Sequence, residues 1–227
     1  MIQLERKNIN LIIDFDSTFI KDESLEIISN FSVAHTNNNS KIVDQISSIT
    51  NDAMNGKINF SDALIKRIGL LNANKSHIDS TIEYIKKNIT SSIIENKIFF
   101  KENSKNCFII SGGFHEIIYP IIKPFGIPKK NIFANEFIYN KNDNIYSIND
   151  KNLLSKDQGK VEIVKNIKGF NIAIGDGYTD YEIKKYNAAD LFIQFVENIN
   201  RTNINSRANY VAHNFNDIIT YIDNNLF

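Results

Sequence analysis

Six short apolar runs, at residues 9–14, 107–111, 131–134, 171–175, 190–193 and 209–212, constrain the fold of this chain most tightly. Each is bounded by polar or turn residues, the pattern of strands buried on both faces. Amphipathic stretches at 23–34, 41–54, 60–71, 75–88, 114–124, 158–167, 179–186, 197–205 and 215–225 read as helices. Strands alternating with helices predict an α/β fold on a Rossmann-like parallel sheet. Residues 15–106, between the first two runs, carry only helical periodicity and exceed what one crossover needs. They predict an inserted helical cap over 18–80, with 1–17 and 81–227 forming the α/β core. Alternating residues 137–139 and 145–148 flank an Asn/Asp turn and predict a β-hairpin flap at about 135–150.

Composition narrows the partners. The chain has 227 residues, 42% of them hydrophobic, enough for one sizeable core and a smaller appended unit. Its formal net charge is zero and no basic stripe stands out, which argues against nucleic acid or a membrane surface as partner. The one cysteine, Cys107, sits in an apolar run and reads as a buried thiol, so a reducing cytoplasm is expected. Residues 1–7 hold no apolar signal core, and no run is long enough to span a bilayer.

Four polar stations fall at expected strand ends, where parallel sheets bind ligands. The first is Asp14 and Asp16, one residue apart after Leu11-Ile12-Ile13. Extended alternation points both to one side, where a cation, a shared proton or solvent must offset them. Such a carboxylate can attack phosphorus, and its neighbour can pass a proton to and from oxygen. Ser111-Gly112-Gly113-Phe114 offers a hydroxyl and unhindered amides to an anion at a helix start. Lys160 can neutralise a phosphate. Gly175-Asp176-Gly177-Tyr178-Thr179-Asp180 presents two more carboxylates, the oxygen donors that Mg²⁺ prefers. Taken singly, each station also reads as a helix cap, a glycine turn or a solvated lysine.

Together and in this order they resemble the haloacid dehalogenase superfamily of aspartate-nucleophile phosphatases. The likeness narrows toward its phosphoserine phosphatase family. Its marks are Glu23 after Asp14-Phe15-Asp16-Ser17-Thr18, the segment Ala53-Met54-Asn55-Gly56-Lys57-Ile58-Asn59-Phe60 followed by Arg67, Phe133-Ala134-Asn135, and Arg201 where that family carries an arginine. The resemblance implies Asp14 as nucleophile and Asp16 as proton donor and acceptor. Mg²⁺ would sit on Asp14, Asp176 and the Asp16 carbonyl. Ser111, Gly112 and Lys160 would bind phosphate, with Asp180 and Thr179 orienting Lys160 and metal-bound water. It further implies Glu23 on a substrate ammonium, Arg67 on a carboxylate, and Met54 and Phe60 as an apolar lid. Four places depart from the pattern. Ser24 stands where glycine is usual, Thr90-Ser91-Ser92-Ile93 where Pro-Gly is common, and His115 where arginine is common. Ser155-Lys156-Asp157-Gln158-Gly159 lacks the usual second Gly-Lys.

The expected activity is hydrolysis of a small phosphomonoester, first O-phospho-L-serine, through an aspartyl phosphate. Phosphothreonine, phosphoethanolamine or a sugar phosphate as substrate, a phosphotransferase, and a non-catalytic binding protein stay open as alternatives. Monomer and homodimer are equally compatible with the sequence.

Overall fold

The computed structural model describes residues 8–34 and 39–227, and the side chains of Asn39 and Ser40 are not described. The expected lack of a signal core at residues 1–7 lies outside the described residues. Six strands form one parallel sheet: β1 Ile9–Ile13, β2 Cys107–Phe114, β3 Ile132–Asn135, β6 Phe170–Gly175, β7 Leu191–Phe195 and β8 Tyr210–Ala212. Their order is β3-β2-β1-β6-β7-β8. The winding reverses between β1 and β6, so the ligand-binding crevice of such a sheet lies beyond the ends of these two strands. All five residues of β1 are buried, as a central strand requires. The polar Asn10 is accommodated there by donating to Asn171 Oδ1 (2.9 Å) and Lys168 O (3.0 Å).

Between β1 and β2 run α1 Ser24–Val33, α2 Asn39–Met54, α3 Phe60–Leu70, α4 Lys75–Ile85, α5 Ser91–Glu95 and α6 Lys97–Glu102. Helices α1 to α4 pack on one another, and α4 also meets α7 (His115–Ile122) beside the sheet. The chain leaves and re-enters this unit through Ile20 and Ile89, which pair as an antiparallel bridge. The antiparallel hairpin β4 Phe137–Tyr139 and β5 Ile145–Ile148 is present where the alternation places it. It docks on the α3–α4 connection, with Ile145 N–H donating to Ala73 O (2.8 Å) and Lys75 paired with Asp143 (2.6 Å). The remaining helices are α8 Gly159–Val164, α9 Tyr178–Lys185, α10 Thr202–Asn205 and α11 Phe215–Leu226. No helix among the described residues is long and apolar enough to cross a membrane.

Three local expectations need correction. β2 runs on through Phe114 with a register shift against β3, so Ser111-Gly112-Gly113 is the end of a strand and the helix starts only at His115. The expected helix 197–205 shrinks to α10, because Glu197, Asn198 and Arg201 are drawn into side-chain bonds elsewhere. Helices α5 and α6 were not expected: their apolar residues are too few to show a period over one or two turns.

Candidate active site

β1 stops at Ile13 because the chain then folds into a wide turn, Phe15–Phe19, closed by Ile20 N–H to Phe15 O (3.0 Å). Ser17 adopts left-handed backbone within it, φ 54°. Asp14 Oδ1 accepts Phe15 N–H (2.7 Å), which aims the carboxylate back across the sheet end. Asp16 Oδ1 accepts Ser24 N–H (2.7 Å) from the start of α1. A side chain on Gly113 would meet the other oxygen, Asp16 Oδ2, at 2.9 Å. The strand end of β2 thus needs glycine to let the Asp16 carboxylate approach.

Lys160 is buried between two carboxylates, 2.8 Å from both Asp14 Oδ1 and Asp180 Oδ1. Burial opposes its charge, but Asp14 and Asp180 outweigh that and hold its pKa above the ordinary lysine value. The α8 start that carries it is Gly159, where a Cβ would lie 2.1 Å from Leu153 O. Asp180, in the first turn of α9, also accepts Gly177 N–H (3.2 Å). A side chain on Gly175 would collide with its carboxyl at 2.1 Å, so the β6–α9 turn packs tightly enough to need glycine there. Asp176 takes Arg201 Nε–H at 2.7 Å. Burial, then nearby acids, push Asp176 and Asp180 up to about 7; for Asp176 the Arg201 guanidinium partly offsets this, and for Asp180 the Lys160 ammonium does. Asp16 is raised to about 6, by burial first and by the Asp14 charge second.

One oxygen from each of Asp14, Asp176 and Asp180 lies within 4.8 Å of the other two. Three buried carboxylates this close together form a hard-oxygen donor set suited to a divalent cation. The chemistry of the donors therefore fits the metal the resemblance implies, with Asp180 beside Asp14 and Asp176.

Above this floor, α1 to α3 supply a roof. Asp14, Asp16, Ser111, Gly112, Lys160 and Thr179 line one pocket with Glu23, Met54, Phe60 and Arg67. The Phe60 ring covers Gly112 so closely that a Cβ there would lie 2.4 Å from Cζ. Met54 Sδ lies 4.0 Å from Thr179 Oγ1. Arg67 is buried, with its guanidinium 6.0 Å from the Phe60 ring centre. Its hydrogen bonds run to neutral acceptors, Ala63 O (3.3 Å) and Thr50 Oγ1 (3.2 Å). Burial lowers its pKa, and Glu23, Asp16 and Glu26 counter that. Glu23 accepts Ser17 Oγ–H (2.7 Å) and is pushed up to about 7 by burial and then by Asp16.

The structure brings every sequence-predicted site residue to this pocket or its floor. Two residues that sequence reasoning left without a role join them. Arg201 bridges Asp176, Glu23 (3.8 Å) and Asn51 Oδ1 of α2 (3.0 Å). Asn198 Nδ2 lies within hydrogen-bonding distance of Ser17 O (3.1 Å), Ile20 O (3.2 Å) and Thr90 Oγ1 (2.7 Å), tying down both crossings into the helical unit. Arg201 had a family position as its signal; Asn198, in a chain rich in asparagine, had none.

The crystal structure of a phosphoserine phosphohydrolase-like protein from Francisella tularensis subsp. tularensis SCHU S4 superposes with a TM-score of 0.86. It is 34% identical and covers 94% of this chain and 99% of its own. The chain belongs to the phosphoserine phosphatase-like family of the haloacid dehalogenase superfamily. Curated relatives agree with this membership. Human phosphoserine phosphatase is 28% identical over 211 residues, 91% of this chain and 89% of that protein. The chloroplastic phosphoserine phosphatase of Arabidopsis thaliana is 27% identical over 215 residues, 92% and 70% respectively. No family model matches the chain. As a member of this family, the protein is a phosphoric monoester hydrolase.

Proposed function

We propose that this hydrolase converts O-phospho-L-serine to L-serine and phosphate. The observation that carries the reading is the charge layout of one pocket. A phosphate cradle of Ser111, Gly112 and Lys160 shares the pocket with one half-buried carboxylate, Glu23, and one buried cation, Arg67. Phosphoserine presents a phosphate, an ammonium and a carboxylate, one for each. Arg67 suits the carboxylate because its planar fork can bind both oxygens.

In the first step a carboxylate oxygen of Asp14 attacks phosphorus in line. The phosphorus–oxygen bond to serine breaks, and Asp16 gives the departing oxygen its proton. In the second step Asp16 takes a proton from water, whose oxygen attacks phosphorus, releasing phosphate and restoring Asp14. Ser111, the Gly112 N–H and Lys160 hold the equatorial oxygens throughout, where transition-state charge accumulates. Mg²⁺ held by Asp14, Asp176 and the Asp16 carbonyl would supply further charge neutralisation at phosphate, with Asp180 orienting Lys160. Division into a core of 1–17 and 81–227 and a cap of 18–80 belongs to the same reading. The cap supplies Glu23, Met54, Phe60 and Arg67, and its closure keeps bulk water out.

The deciding experiment measures phosphate release with Mg²⁺ from L-phosphoserine, phosphothreonine, phosphoethanolamine and a sugar phosphate. Preference for L-phosphoserine is expected. Preference for another ester would discard the roles of Glu23 and Arg67 while keeping the aspartyl-phosphate chemistry. Transfer of phosphate to an added alcohol in place of water would identify a phosphotransferase.

A further inference from the structure

The helix that carries Phe60 and Arg67 is capped from across the pocket. Asn59 precedes α3 with extended backbone (φ −66°, ψ 144°), yet makes no side-chain bond to the first-turn amides. Asparagine in that position is ordinarily a strong cap. Asp157 Oδ1 takes the place instead, accepting Ser61 N–H at 2.9 Å. Ser61 is the second residue of α3, and its amide is one that a capping side chain normally satisfies.

Asp157 is exposed and sits three residues before Lys160, in the loop that leads into α8. Gln158 beside it holds left-handed backbone, φ 59°, as the loop turns into α8. Phe60, Gly112, Lys156, Gln158, Lys160 and Thr179 line a crevice at this edge of the site. The Asp157–Ser61 bond spans from the loop side of that crevice to the helix side.

We propose that Asp157 is a latch that caps α3 in trans and holds the Phe60 and Arg67 helix down on the loop leading to Lys160. Asp157 has no place in the phosphate or metal site; it is a positioning residue. Its carboxylate also meets the positive end of the α3 dipole. A cap supplied by another element exists only while the two are together, so its whole contribution favours the closed arrangement. A capping bond of ordinary strength shifts such a balance about fivefold. Other bonds across the divide, Arg201 to Asn51 and the Asn74–Asn144 bridge, lie at separate edges. Loss of Asp157 therefore loosens α3 without detaching the unit.

The effect on turnover rests on the phosphoserine reading; the effect on α3 does not. Hydrogen exchange read by mass spectrometry on the full chain tests the latch first. Asp157→Ala should speed exchange at the start of α3 about fivefold and leave β1 and β6 unchanged. Asp157→Asn keeps an acceptor that caps as well as aspartate, so it should restore protection. In phosphate release from L-phosphoserine, Asp157→Ala should raise KM about fivefold with kcat held, and Asp157→Asn should bring KM back. Unchanged exchange at α3 in Asp157→Ala overturns the latch, as does a loss of protection spread evenly through the sheet. Faster α3 exchange in a protein that ignores L-phosphoserine would sink the substrate assignment and leave the latch standing.

Discussion

The floor and the roof of the pocket hold their charges in opposite ways. At the floor, charges neutralise one another: Lys160 lies 2.8 Å from two carboxylates, and Arg201 lies 2.7 Å from a third. At the roof, among the described residues, Arg67 bonds to a hydroxyl and a carbonyl, and Glu23 takes a serine hydroxyl with Arg201 3.8 Å away. The floor is a preorganised electrostatic site whose geometry the sheet sets before any ligand arrives. The roof keeps buried charge that a ligand of opposite sign can complete. Chemistry should therefore fail when the floor is altered, and selectivity should fail when the roof is.

The largest effect should come from Asp14→Asn. The amide is a poor nucleophile, so phosphate release should fall by at least about 10³-fold. Lys160 keeps Asp180 as a partner, so circular dichroism should report a folded chain. Substantial turnover in this variant would remove Asp14 from the reaction and break the contrast at its strongest point.

Metal removal tests the floor as a donor set. A chelator should abolish phosphate release, and restored Mg²⁺ should return it. An ion at about a hundred times its Kd stabilises by ~2.7 kcal/mol, which for a chain of this length raises Tm by about 5–10 °C. Asp176→Asn should erase that rise by removing a ligand, whereas Arg67→Ala should leave it intact. A rise that survives Asp176→Asn would put the ion elsewhere.

Arg67→Ala probes the roof. Hydrogen bonds to charged groups contribute ~1.5–3 kcal/mol, so kcat/KM for L-phosphoserine should fall about 10- to 100-fold. Phosphoethanolamine has no carboxylate and should lose less than about threefold. Equal losses on the two substrates would mean that Arg67 shapes the roof without reading the carboxylate.

The same contrast explains how far the sequence could be read. Each floor residue follows a buried strand or opens the next helix, so its position comes from local patterning: Asp14 after Ile9–Ile13, Asp176 after Phe170–Gly175, Lys160 beside Gly159. The sheet itself was legible for the same reason, because a strand buried on both faces is an unmistakable apolar run. The roof depends on packing between helices, which periodicity does not specify. Glu23 and Arg67 are separable from solvated helix charges only through a family likeness. Arg201, Asn198 and Asp157 act through bonds spanning 25, 181 and 96 positions in the chain, and no local pattern marks such partners. Strand β2 misled at its end because a Ser-Gly-Gly sequence usually breaks a strand, whereas here glycine admits the Asp16 carboxylate and the Phe60 ring.

Met54 joins the two regions and should give the smallest effect. It is buried in the roof, yet its sulfur lies 4.0 Å from Thr179 Oγ1, and a Cβ on Gly177 would stand 2.9 Å from it. Met54→Leu conserves volume and apolar character, so thermal unfolding should register a loss below about 1.5 kcal/mol. If Met54 contributes only bulk that excludes water, KM for L-phosphoserine should rise by no more than about threefold and kcat should hold. A tenfold loss would require the thioether itself, flexible and polarizable against Thr179, to seat the ligand. The roof would then read its substrate through an apolar side chain as well as through Glu23 and Arg67, and the division between a chemical floor and a charge-reading roof would have to be redrawn at this residue.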